Sequence, residues 1–241
     1  MNLKLVAPDK VSTPAKFFLI AATVNGFGNG VFGVVLQLYL ISLGFESVAI
    51  GTMFMMNSLG SALLTLPAGI FADRYGKRKV LLFGFSLEAV GWMILLTSKN
   101  IEMLSFSFLL TGLGFAVRVV LTPLYSSFFD KEDMDRAFGL FGFLSITALS
   151  MGSLFGFVPQ ILVASHNFSL QHAYWTVLVV AVVLLILAMI LFIMSVRHVT
   201  EPRQQGGFKF NLKSKNVVIK FSFLNLISNL CFGVFFGLFP Y

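Results

Sequence analysis

Gly69-Ile70-Phe71-Ala72-Asp73-Arg74-Tyr75-Gly76-Lys77-Arg78-Lys79 decides how this chain is read. The stretch lies between two long apolar runs, and from Asp73 onward it gathers one acid and four bases into seven residues. So short a polar joint between two membrane-length segments predicts a tight turn at a membrane surface. Gly76 supplies the freedom in φ that such a turn uses. Gly69, four residues before Asp73, lets another helix approach closely. The bases assign the turn to the cytoplasmic face.

The rest of the chain agrees with a membrane setting. Of its 241 residues, 57% are hydrophobic and 11% charged, against roughly 25% charged in an average soluble domain. Spans of about 20 apolar residues are predicted near 17–41, 48–72, 80–98, 103–128, 137–164 and 173–196. A seventh begins near 217 and runs to Tyr241. The first apolar run is too long for the core of a cleavable signal peptide. With the N-terminus inside, fifteen of the seventeen Lys and Arg fall in inside segments. Lys99 falls outside and Arg118 within a span, an asymmetry that orients the chain. The net charge of +7 therefore belongs to topology and anionic headgroups rather than to nucleic acid. The expected location is the cell membrane, multi-pass, with a cytoplasmic N-terminus.

Residues 197–216 form the longest joint and carry Pro202, Gly206 and Gly207, which break helices. This divides the chain into a six-helix transmembrane bundle over 1–196, a cytoplasmic linker over 197–216 and the start of a seventh helix over 217–241. Aligning Lys16 with Lys220 also pairs Phe17 with Phe221, Asn25 with Asn229, Phe32 with Phe236 and Gly33 with Gly237, the trace of a parallel repeat.

The opening stretch resembles the loop signature of the major facilitator superfamily, Gly-x-x-x-Asp-Arg-x-Gly-Arg-Arg/Lys, between the second and third helices. Gly69, Asp73, Arg74, Gly76 and Arg78 match, and Lys77 stands where the family usually has Arg. At the end of the fourth span, Asp130 and Arg136-Ala137-Phe138-Gly139 resemble the family's cytoplasmic joint. The resemblance implies an all-α membrane fold and makes Lys77 and Asp130 partners in a conformational gate. It also implies twelve spans in all, so the chain is expected to lack a C-terminal six-helix half, as a fragment or truncated product. The antiporter signatures of the superfamily are incomplete here. Phe108 and Thr111 replace the Arg and Gln that precede Gly112 and Gly114, and Phe157 follows Gly152 and Gly156 in place of Pro.

Ionisable residues inside a membrane are costly and point to function. Glu88 lies about 13 Å along its helix from Lys79, and Arg118 about 15 Å from Phe128. Their depths agree, so they form either a packing ion pair or a solute or proton site. Thr111, Gly114, Arg118, Thr122 and Tyr125 follow helical spacing along one face. A polar stripe on a span faces protein or water. Asn25 and Asn29 share a face of the first span, with Gln37 about 80° round from Asn29. Gly26, Gly28, Gly30 and Gly33 serve either bending or close packing there. Asn57, Ser61 and Thr65 stripe the second span, and Ser150, Ser153 and Gln160 the fifth. The sixth is apolar throughout. Spans one, two, four and five are thus expected around a cavity, with the sixth outside, and the resemblance implies a peripheral third span.

No cluster with enzymatic spacing is present. His166, His172 and His198 read as interfacial, and Cys231, the single cysteine, allows no intrachain disulfide. The expected function is secondary transport of a small solute by alternating access, of drug-efflux-like or organic-solute type, with no cofactor, the lipid bilayer as surroundings and protons as a candidate coupling ion. The alternative is a non-transporting membrane sensor or an inert truncated half acting as a partner.

Overall fold

The computed structural model describes residues 11–166 and 169–197. The expected linker beyond Arg197, the expected seventh span with Cys231 and the repeat positions from Lys220 to Gly237, and His198 lie outside the described residues. Within them, every regular element is a helix. The order is α1 (Thr13–Ser42), α2 (Ser47–Tyr75), α3 (Lys77–Thr97), α4 (Ile101–Ala116), a 3-10 turn (Val117–Val120), α5 (Leu121–Ser126), α6 (Met134–Leu154), a second 3-10 turn (Phe155–Phe157), α7 (Val158–His166) and α8 (Leu170–Val196). α4 and α5 together make the fourth span and α6 and α7 the fifth, so six segments are long and apolar enough to cross a membrane.

Local chemistry sets the helix ends. The side chains of Ser12, Asn100 and Ser169 accept backbone N–H groups at the starts of α1, α4 and α8, satisfying donors that a helix N-terminus otherwise leaves open. The joint between α2 and α3 is the single residue Gly76, with φ +95°. A side chain at that angle is strained, so the reversal depends on glycine.

The main packing partners are α1 with α8, α1 with α6, α2 with α4 and α3 with α4. α1 is one unbroken helix, and Gly26, Gly28 and Gly30 serve close packing rather than bending. A Cβ at Gly30 would strike the Leu149 carbonyl of α6, and one at Gly152 would strike the Phe27 carbonyl of α1. On the other flank, a Cβ at Gly112 would strike the Asn57 carbonyl of α2. Gly112→Ala is therefore expected to force α2 from α4 and cost about 1–3 kcal/mol. Gly33→Ala, with open space at its Cβ, should be neutral or mildly stabilising. Thermal unfolding of the two variants in detergent checks this contrast.

Two apolar clusters fill the bundle, one toward each end. The first gathers Phe18, Val117, Leu124, Tyr125, Leu185 and Phe192. The second gathers Val35, Tyr39, Met53, Leu104 and Leu178. α8 is half-buried rather than wholly outside. Its Ala173, Leu178, Ala181, Leu185 and Ala188 pack inward, while Val180, Val183, Leu187 and Ile190 face out. α2 and α6 expose broad faces that include Met55, Leu59, Leu63, Phe143, Ile146 and Leu154.

Candidate functional site

Glu88 sits one residue past the midpoint of α3 and is only 4% exposed. Arg118 reaches it from the 3-10 turn of the fourth span, donating through one terminal guanidinium nitrogen to Glu88 Oε1 at 2.6 Å. The other terminal nitrogen donates to Asn25 Oδ1 of α1 at 3.0 Å. Three spans are thus tied together at mid-depth. The guanidinium carbon also lies 4.9 Å from the Phe115 ring centroid, within cation–π range. The ion pair is joined at one point rather than by a fork. Glu88 Oε2 and Arg118 Nε are buried without a hydrogen-bond partner.

Close approach of α3 to the fourth span makes this contact possible. A Cβ at Gly114 would lie 2.5 Å from the Gly84 carbonyl and 2.7 Å from Glu88 Cβ. The shared depth of Glu88 and Arg118 in the sequence corresponds to direct contact in the fold.

Beside this pair lies a cavity of about 180 Å³. Asn29, Phe32 and Leu36 of α1, Phe54 and Asn57 of α2, Glu88, Trp92 and Leu95 of α3, and Phe108, Thr111 and Phe115 of α4 line it. The third span takes the place expected for the fifth, because its glycine face packs tightly against α4 and carries Glu88 and Trp92 inward. Arg118 stands behind the wall, its terminal nitrogens committed to Glu88 and Asn25.

The polar residues of the wall are themselves fixed. Asn57 Nδ2 donates to the Phe108 carbonyl at 3.2 Å and to Thr111 Oγ1 at 3.0 Å. Thr111 Oγ1 donates in turn to the Phe108 carbonyl at 2.9 Å. Asn29 Nδ2 donates to the Asn25 carbonyl and to Asn25 Oδ1.

The remaining sequence candidates lie elsewhere. Gln37 is half-buried on α1 and is not among the lining residues. Thr122 is exposed. Tyr125 is fully buried, stacks on Phe18 at 4.7 Å between ring centroids and donates its hydroxyl to the Ala137 carbonyl at 3.0 Å. The stripe fails at the 3-10 turn. Four residues at 120° each, instead of 100°, rotate α5 by about 80° relative to α4. Thr122 and Tyr125 therefore leave the face that Thr111 occupies. The sequence reading missed Trp92, although it lies one turn after Glu88 on the same face of α3.

The charged signature clusters at the end of the bundle that holds the Gly76 joint. Asp73, Arg74, Arg78, Lys79 and Asp130 are exposed, and Gly69 and Lys77 are half-buried. Arg74 lies 5.5 Å from the Tyr75 ring centroid, and Arg136 pairs with Asp133 at 3.8 Å.

Six spans among the described residues, a one-residue Gly76 joint flanked by Asp73, Arg74, Lys77 and Arg78, and a mid-depth, aromatic-walled cavity with a few polar groups form one pattern. A family model for the Major Facilitator Superfamily matches residues 18–241. The chain belongs to the Major Facilitator Superfamily. This is a superfamily of membrane transporters, not of enzymes.

Solved members share its fold. The POT family transporter PepTSo superposes with a TM-score of 0.64 at 16% identity, covering 91% of this chain and 47% of that one. A proton dependent oligopeptide family transporter superposes with a TM-score of 0.59 at 18% identity, covering 89% and 46%. Among curated relatives, Monosaccharide-sensing protein 2 of Arabidopsis thaliana is 35% identical over 77 residues, which is 32% of this chain and 11% of that protein. A transporter of Buchnera aphidicola is 24% identical over 170 residues, or 70% of this chain and 40% of its own length. The chain thus spans about half the length of the solved superfamily structures and less of these curated relatives.

Proposed function

We propose that this superfamily member works as one half of a secondary transporter that moves a small solute by alternating access. The observation that carries the proposal is the Glu88–Arg118–Asn25 network, buried at mid-depth beside an aromatic-walled cavity in a six-span bundle. A bundle built only to persist in lipid gains little from such a network, because buried charges there are costly. Protons are the candidate coupling ion. A second six-helix half would cover the exposed faces of α2 and α6 and supply the opposite wall of the pathway. In this reading residues 1–196 are the first bundle, 197–216 the linker and 217–241 the start of the second.

The charge pattern supports a cytoplasmic N-terminus in the cell membrane, with the Gly76 joint and residues 197–216 on the same side. Ser12→Cys and Ser98→Cys, each in a Cys231→Ser background, test this in intact cells. An impermeant thiol reagent added outside is expected to label the Ser98 site alone. Labelling of the Ser12 site alone would invert the topology.

A second reading draws on the name of the Arabidopsis relatives, which is that of sensing proteins: the cavity binds a solute without carrying it. Solute counterflow in proteoliposomes separates the two. The transport reading expects exchange of labelled solute above the empty-liposome baseline when both bundles are present, and the sensing reading expects saturable binding with exchange at baseline. The 241-residue chain alone is expected at baseline unless two copies pair, when exchange should rise with the square of protein density. Exchange linear in single chains contradicts the two-bundle account.

A further inference from the structure

We infer that the solute taken by the α1–α4 cavity is a small organic ammonium ion bearing N–H donors and an apolar body. This inference rests on the reading of the cavity as a solute site. The hydrogen-bond inventory of the wall carries it. Carbonyl groups can only accept, so the Phe108 carbonyl fixes the orientation of the Asn57 amide, and the Asn25 carbonyl fixes that of Asn29. Both amide nitrogens are committed, and the Thr111 hydroxyl proton goes to Phe108. What remains is Asn29 Oδ1 and Asn57 Oδ1, neither of which accepts a hydrogen bond from a described residue, and the unpartnered Glu88 Oε2. These three acceptors outnumber the unused donor atoms, which are the Trp92 indole N–H on the wall and the Arg118 Nε–H behind it.

An ammonium group brings donors and no acceptors, so it matches this set without leaving a polar atom of its own unpaired. A hydroxyl solute brings a single donor to three acceptors, and an amide brings a carbonyl that on the wall only the Trp92 indole N–H could serve. A carboxylate would face Glu88. Arg118 does not reverse this preference, since it is not among the lining residues and directs its terminal nitrogens at Glu88 and Asn25. The rest of the wall suits the same ligand. Phe32, Phe54, Trp92, Phe108 and Phe115 line the cavity, and aromatic faces attract a desolvated cation. Oε2 is covered in this conformation, but the terminal torsion of a carboxylate is broad. Glu88 lines the cavity, so rotation about that torsion, with Oε1 re-seated on Arg118, would bring Oε2 toward the solute.

The test uses the purified chain in lipid nanodiscs and three probes of matched shape: benzylammonium, benzyl alcohol and benzoate. Trp92 reports binding by fluorescence in a Trp175→Phe background, and Trp92→Phe removes the signal. Benzylammonium is expected to bind saturably, at least tenfold more tightly than the other two. Glu88→Gln keeps an oxygen for Arg118 and replaces the free acceptor with a donor, so it should weaken benzylammonium at least tenfold and narrow the gap to benzyl alcohol. The three-probe ranking in the unaltered wall needs no variant and stands if Glu88→Gln unfolds. Equal binding of the three probes, tighter binding of benzoate, or no saturable binding overturns the assignment. Counterflow keeps the two readings apart. Benzylammonium that binds but is not exchanged by the two-bundle transporter overturns transport and leaves the assignment standing. Exchange of other solutes without ammonium binding does the reverse.

Discussion

Arg118→Ala is expected to destabilise the bundle by about 3–5 kcal/mol, the largest single effect in the molecule, because it strands a buried charge. Glu88 is 4% exposed and its one ionic partner among the described residues is Arg118 at 2.6 Å. Truncation also removes one of the two donors to Asn25 Oδ1, leaving only Asn29 Nδ2. The effect should show as a large fall in the thermal midpoint in detergent and as a loss of chain from the membrane. Arg118→Lys keeps the charge but cannot span Glu88 and Asn25 with a planar head, so an intermediate loss is expected. Exchanging the two residues, Glu88→Arg with Arg118→Glu, should recover most of the stability, since the pair is re-formed with its ends reversed. Binding should stay lost, because the carboxylate then stands behind the wall and the guanidinium lines it. An Arg118→Ala midpoint equal to that of the unaltered chain would show that the pair does not hold these helices together.

Asp73→Asn is expected to lower the transport rate tenfold or more while leaving solute affinity within a few-fold. Asp73 is exposed at the Gly76 end of the bundle, whereas Glu88 and the cavity lie deep within it. A change at Asp73 therefore leaves the wall untouched. We propose that the charges around this joint, Asp73, Arg74, Lys77, Arg78, Asp130 and Arg136, latch one face of the transporter and release it during the cycle. Neutralising the acid biases that two-state element without altering contacts to the solute. Initial rates and equilibrium binding measured on one preparation decide it. A large loss of affinity with normal turnover at saturation would place Asp73 in the binding site instead.

Much of this architecture could be read from residues 69–79 and the apolar runs beside them, for physical reasons. A span must satisfy its backbone hydrogen bonds internally, so an apolar run of that length becomes a helix. A single glycine between two such runs can only be the turn. The contact between Glu88 and Arg118 was legible because helices rise uniformly, so equal distance from a shared membrane face means equal depth. The fate of Thr122 and Tyr125 was not legible. Nothing in Val117-Arg118-Val119-Val120 announces a 3-10 turn, and a phase error of about 80° turns a cavity residue into an aromatic-core residue. The resemblance implies a peripheral third span, although Glu88, Trp92 and Leu95 at spacings of four and three mark an inward face. The glycines of α1 admitted two readings until their neighbours were known. Close packing against α6 is a property of pairs such as Gly30 with Leu149, and one helix alone does not reveal it.

Side-dependent access to Asn29 tests alternating access most directly. Asn29→Cys in a Cys231→Ser background places one thiol on the cavity wall of the reconstituted two-bundle transporter, and an impermeant reagent is applied from either face. The account predicts labelling from both faces, each slowed by benzylammonium, with Asp73→Asn changing the ratio of the two rates. Labelling from one face only, unaffected by solute and by Asp73→Asn, would contradict it.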